Sequence, residues 1–219
     1  MIIKRVCNDL PIPLPQWVWF GSGGMAAIDE SRGKPPIPTN LYEKADKPFQ
    51  YGNDATTYYL AGRYLSGNGL VEDWGCGTAW ARLFIGAPYR GVDIAKSKWN
   101  DVVADLRTYI PDEPVPKIFM RHVLEHNWDW REILHNMLRS FTDRATLILF
   151  LKPGDKDVNT YRTPNCPDSY VPGLSLCEAD LEAIIEMYGT KVYCEEFCTD
   201  IPSKYERIYF MEKIHAIDR

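Results

Sequence analysis

Several things are missing from this sequence, and each absence narrows what it encodes. There is no run of like charges: 25 Lys and Arg stand against 30 Asp and Glu, dispersed along 219 residues for a formal charge of −5. Without a basic stripe to follow a phosphate backbone, nucleic acid is not an expected partner. No stretch approaches the roughly 18 consecutive apolar residues that cross a bilayer. Met1-Ile2-Ile3-Lys4-Arg5 leads into polar residues and prolines and not into an apolar signal core, so a soluble, cytoplasmic chain without membrane attachment is expected. Cysteine is sparse and unpaired: positions 7, 76, 166, 177, 194 and 198 contain no Cys-x-x-Cys knuckle, which reads as free thiols with neither a disulfide framework nor a metal site. There is no internal repeat and no low-complexity tract.

What is present suffices for one sizeable core, since 45% of the residues are hydrophobic and 13% aromatic. Residues 1–50 hold seven of the sixteen prolines, with Gly21-Ser22-Gly23-Gly24 and the aromatic cluster Trp17, Trp19 and Phe20. They read as an extended arm that either packs over the domain or closes on a ligand as a lid. From residue 51 onward, strand and helix patterns alternate. An Asn53-Asp54 cap opens a helix to about Leu65, and Leu70 to Trp74 is the first strand of that series. A helix over Trp80 to Ile85 precedes a strand over Tyr89 to Ile94, and Asp101 to Asp105 makes a short third strand. Lys117 to Arg121 is the fourth strand, a helix runs to about Ser140, and Ala145 to Leu151 is the fifth. Ser175 begins a capping box with Glu178 ahead of the next helix, and Lys191 to Phe197 and Arg207 to Phe210 are strands joined too closely for a parallel crossover. The expected fold class is α/β: a Rossmann-like, mostly parallel seven-stranded sheet with an antiparallel last strand and helices on both faces.

The first strand ends in Asp73-Trp74-Gly75-Cys76-Gly77, a Gly-x-Gly turn opening the next segment. A dinucleotide fingerprint would place a third glycine where Trp80 stands, to let the helix pack close beneath a pyrophosphate. Asp73, two residues before the first glycine, is likewise a poor neighbour for phosphate. The same acid suits a cofactor with positive charge and no phosphate, and S-adenosylmethionine, a sulfonium with an ammonium group, is that kind of molecule. Asp93, twenty residues on, closes the second strand where one carboxylate can accept from both ribose hydroxyls, and Asp105 closes the third within reach of an adenine amino group.

Taken together, the segment from Tyr51 to Phe210 resembles the class I S-adenosylmethionine-dependent methyltransferases. The family's acid-x-Gly-x-Gly motif is matched by Asp73 to Gly77, its second acid by Asp93 and its third motif by Asp105-Leu106. Val123-Leu124-Glu125-His126 is similar to the run after strand four in many small-molecule members, and Lys152-Pro153-Gly154 to the ending of strand five. Ala79 departs from the pattern, because many members carry a further glycine there. The resemblance implies a cofactor site at Tyr51, Asp73, Trp74, Gly75, Cys76, Gly77, Asp93, Ile94, Asp105, Leu106, Met120 and Arg121. It also implies catalysis by Glu125 or His126, with His122 in reserve as the base for a hydroxyl acceptor. The connection from Lys152 to Leu174 is far longer than a link requires, and its Tyr161, Arg162 and Tyr170 are candidates for binding a small-molecule or sugar acceptor. An S-adenosylmethionine-binding protein without turnover is the alternative. His122-Val123-Leu124-Glu125-His126 also fits a His-x-x-Glu-His zinc pattern, but no further ligand is placed downstream, so no metal is expected. Asn-Pro-Pro-Tyr, frequent after strand four in nucleic-acid methyltransferases, is replaced by Met120-Arg121-His122. Oligomeric state has no signature.

Overall fold

The computed structural model describes residues 2–7, 45, 47, 55–160, 172–199 and 205–214. Most of the arm, Tyr51, the Asn53-Asp54 cap, and Tyr161, Arg162 and Tyr170 lie outside the described residues.

Among the described residues, ten strands and three α-helices follow one another as β1 (Ile2–Cys7), α1 (Thr56–Leu65), β2 (Val71–Trp74), β3 (Tyr89–Asp93), β4 (Val102–Val103), β5 (Val115–Arg121), α2 (Trp130–Ser140), β6 (Phe141–Leu149), β7 (Val158–Asn159), β8 (Leu174–Ser175), α3 (Glu178–Met187), β9 (Thr190–Phe197) and β10 (Glu206–Lys213). The main sheet has the order β1-β9-β10-β6-β5-β2-β3-β4. All its pairings are parallel except those of β10, which runs antiparallel to both β6 and β9. The expected seven strands are thus present, and Ile2–Cys7 adds an eighth beside β9, which the proline-rich composition of the first fifty residues concealed.

Alternation along the strands sends side chains to two cores. Trp74, Ile118, Met120, Leu147 and Leu149 face α2 and α3, meeting Trp130, Ile133, Leu134, Leu181 and Ile185. Val71, Phe119 and Ile148 face α1, where Tyr58, Ala61 and Leu65 join Trp80 and Ile85. On this second face Gly62 is required by close approach, since a Cβ there would lie 2.2 Å from the Phe84 carbonyl oxygen. At the far end of α1, the Lys117 ammonium donates to the carbonyls of Leu65, Ser66 and Asn68 at 2.7–3.0 Å, satisfying the terminal acceptors of the helix.

Four local expectations are corrected. The helix after the Gly-x-Gly turn is only a 3-10 turn, Trp80–Leu83, because Ala79 before it is left-handed and Gly86 and Pro88 end it almost at once. The third strand shrinks to Val102–Val103, since Asp101 instead accepts the Gly91 amide at 2.7 Å. Ser175 makes no capping box: it belongs to β8 and donates to the Lys152 carbonyl at 2.7 Å, while the α3 N-cap is Cys177. The fifth strand, β6, ends at Leu149 and begins at Phe141, directly from α2. β7 and β8 pair as an antiparallel ribbon, which closes the neck of the long connection between β6 and α3.

Candidate active site

The carboxyl ends of β2, β3 and β5 meet at one edge, where open α/β sheets place their ligands. The chain leaves β2 through three left-handed residues, Gly75 (φ 77), Gly77 (φ 53) and Ala79 (φ 55). The amides of Gly75 and Cys76 both donate to the Val92 carbonyl, at 2.8 and 3.2 Å, and fold the turn back over β3. A Cβ on Gly75 would come within 2.3 Å of Val123 Cγ2, so glycine alone lets the turn lie against the segment after β5. Ala79, the departure from the family pattern, adopts a conformation that costs a non-glycine residue about 1–2 kcal/mol.

Asp93 clasps this turn. One of its carboxylate oxygens accepts the Gly77 amide and the other the Ala95 amide, each at 2.9 Å. The Ile94 amide also bonds to this carboxylate, so of its roughly four lone-pair positions about one remains for a ligand. Asp73 is buried and accepts from the Tyr89 hydroxyl. Burial pushes its carboxyl up to about 7; the Tyr89 hydrogen bond pulls it down, the Asp93 charge raises it further, and Arg82 and Arg121 oppose. The Cys76 thiol is also pushed up by burial and by the charges of Asp73 and Asp93, which leaves it inert packing.

Asp105 lies two residues beyond β4 and is bound by Arg107, whose Nε and backbone amide both donate to it at 3.0 Å. The Arg107 hydrogen bonds hold its carboxyl below the usual range. Arg107 thus occupies the carboxylate expected to meet an adenine amino group. Trp74, Met120 and Leu106 point into the α2/α3 core, so only their backbone groups face the site edge.

The end of β5 is built differently. The Arg121 guanidinium donates to Glu206 from Nε at 3.0 Å, approaches it through Nη2 at 2.6 Å, and donates to the Tyr58 hydroxyl at 2.9 Å. Thr57 donates to the other Glu206 oxygen at 3.1 Å, and His122 Nε2 lies 2.7 Å from the first. His122 has a left-handed backbone (φ 56), donates its amide to the Ile148 carbonyl at 2.9 Å and sets its ring 4.9 Å from that of Phe150. Glu125 and His126, expected to act together, serve separate ends. Glu125 is fully buried: its carboxyl accepts the Phe150 amide and faces that of Leu151, yet burial outweighs these bonds and pushes it up to about 8. His126 Nδ1 is 2.9 Å from the Pro172 carbonyl, and docks the neck of the long connection.

Glu206, Tyr58, Thr57 and Tyr89 are therefore site-edge residues that the sequence reading misses. Glu206 stands one residue before the expected start of its strand, and no spacing ties it to His122, from which it is 84 positions away.

No family profile matches the chain, and no curated protein matches it by sequence. Solved structures do match. The 1,6-didemethyltoxoflavin-N1-methyltransferase of Burkholderia thailandensis, solved with S-adenosylhomocysteine, superimposes with a TM-score of 0.55 at 11% identity over 74% of this chain and 80% of that one. The fold is that of S-adenosylmethionine-dependent methyltransferases. The N-methyltransferase NodS of Bradyrhizobium japonicum, also solved with S-adenosylhomocysteine, gives 0.52 at 12% identity over 78% of this chain and 90% of that one. The [4+2]-cyclase SpnF gives 0.53 at 14% identity over 78% and 86%, so one scaffold serves more than one chemistry. No described helix is long and apolar enough to cross a membrane.

Proposed function

We propose that this protein binds S-adenosylmethionine and transfers its methyl group to a small-molecule or sugar acceptor, at a hydroxyl oxygen. The observation that carries this reading is the glycine turn, pinned by Asp93 and flanked by buried Asp73 on the carboxyl edge of the sheet. The donor set fits the cofactor. Asp93 retains acceptor capacity for a hydroxyl, and the Asp73 carboxyl, poised near 7, is drawn into its ionised form by a cationic ligand and out of it by a phosphate. Bound there, S-adenosylmethionine would supply a methyl group already activated by its sulfonium. The chain's own part is to hold and align: Asp73 and Asp93 bind, Gly75 and Gly77 keep the backbone close, and the backbone of Trp74, Met120 and Leu106 lines the edge. The arm before residue 51 and the connection from 152 to 174, with Tyr161, Arg162 and Tyr170, are proposed to cover the acceptor. The β7–β8 neck, held to His126 through Pro172, supports this because it springs from the end of β6.

Binding without turnover is the second reading, favoured by the engagement of Glu125 and His126 with backbone groups. Calorimetry on the purified chain tests the shared premise: S-adenosylmethionine and S-adenosylhomocysteine are expected to release heat and NAD is not. Silence with both adenosyl ligands removes the reading. Asp93→Ala is expected to weaken binding by about 1.5–3 kcal/mol for each charge-assisted bond lost. Methyl release from labelled donor across a panel of acceptors then separates turnover from binding alone.

A further inference from the structure

Glu206 opens β10 with its side chain fully buried, and receives donors from α1 (Thr57) and from the end of β5 (Arg121 and His122). Burial alone would neutralise such a carboxyl, yet the Arg121 charge and the His122 and Thr57 hydrogen bonds hold it below its usual value. An ionised carboxylate only accepts, so at 2.7 Å His122 Nε2 carries the proton and donates it. The groups facing the ring are Arg121, Glu206, His126 and Phe150. Burial and the adjacent Arg121 push the imidazolium down to about 4, which leaves a neutral ring with one N–H. Nδ1 therefore bears a lone pair, and the His122 side chain keeps 14% of its surface open. His122 directly precedes Val123, whose side chain lies against Gly75, so the two features share the segment that follows β5.

We propose that the Arg121–Glu206 pair locks His122 in the Nε2–H tautomer, so that Nδ1 is a fixed hydrogen-bond acceptor for an O–H or N–H on the methyl acceptor, with Glu206 as the positioning residue. The identity of the donor rests on the methyltransferase reading; the tautomer does not. A carboxylate acceptor would set its own lone pairs against Nδ1, whereas a hydroxyl or amine presents a proton to it and turns its nucleophilic lone pair elsewhere. Such alignment is a recognised route to rate enhancement.

Nitrogen-detected magnetic resonance of histidine-labelled protein at pH 7 tests this without any ligand, with His122→Asn identifying the His122 signals among the four histidines. The wild type is expected to show a single Nε2–H form. Glu206→Gln, which keeps an acceptor oxygen, should retain it. The double variant Arg121→Met/Glu206→Leu, which removes the buried pair without leaving one charge alone, should give a mixture of tautomers. A wild-type ring that is Nδ1–H or charged at pH 7, or a double variant still locked, overturns the proposal. In the methyl-release panel, hydroxyl and amine acceptors are expected to exceed carboxylates by at least tenfold; a preferred carboxylate overturns the assigned role of Nδ1 even where the tautomer stands. Absence of adenosyl-ligand binding instead defeats the methyltransferase reading and leaves the tautomer result intact.

Discussion

The two halves of the site edge are made by different means. At the ends of β2 and β3 the structure is mostly backbone: three left-handed residues, two amides on one carbonyl, and an aspartate clasping two more amides. At the ends of β5, β6 and β10 it is mostly side chain: a buried Arg–Glu pair with a histidine, a tyrosine and a threonine around it. The hydrogen bonds of the first half join partners about a strand and a turn apart in sequence, and those of the second join residues on three distant segments. A backbone-built half tolerates change in its side chains but not in its turn geometry, whereas the side-chain half tolerates paired replacement but not loss of one partner.

That contrast is broken first by removing one member of the buried pair. Arg121→Met leaves Glu206 charged and uncompensated and should cost about 3–5 kcal/mol in urea unfolding, while adding Glu206→Leu should restore most of it. Equal stability of the single and double variants would mean that water reaches the pair. In the other half, Gly75→Ala meets both the positive φ and the 2.3 Å approach to Val123, and is expected to lower stability by about 2–4 kcal/mol. A loss no larger than that of Gly67→Ala, where nothing lies within 4 Å of the added carbon, would show that the clash is relieved freely.

A smaller effect comes from Glu125, buried behind Phe150. Its folded value near 8 exceeds its unfolded value near 4.5, so the folded chain holds a proton that the unfolded chain releases between those limits. Stability should therefore be fullest below about 4.5 from this group and decline as pH rises toward 8. Glu125→Gln removes the titration, and the two stability curves should separate by about 1–3 kcal/mol above pH 8, the variant being the more stable there. Parallel curves across that range would place the proton elsewhere. The smallest effect belongs to Ala79→Gly, which relieves a left-handed alanine and should stabilise by less than about 1 kcal/mol after the entropy cost of glycine in the unfolded chain.

What was legible in the sequence follows the same division. The strand and helix alternation, the antiparallel last strand, and the turn with its two acids could be read because each depends on near neighbours in sequence. Asp105 was read as the acid closing its strand but lies two residues past Val103, and its engagement by Arg107 could not be read, since a charge pair at that spacing is geometrically optional. Glu125 and His126 share a sequence motif but turn to different partners, because the 3-10 turn over Leu124–His126 directs one at the Phe150 amide and the other at Pro172. Glu206 was hidden altogether: a charged residue at the start of a strand normally reads as solvent-facing, and only the arrival of Arg121 from β5 makes its burial tolerable.

The eighth strand bears on the order in which the chain becomes a domain. Ile2 pairs with Val192 and Cys7 with Phe197, so β1 joins a strand that follows every other member of the sheet except β10 in sequence. Until β9 is in place, β1 has no strand to lie beside, while β2 to β6 can already assemble from what has been synthesised. Because long-range pairing is slow and an unpaired strand invites foreign partners, β1 is expected to close its edge of the sheet after the strands it joins have formed.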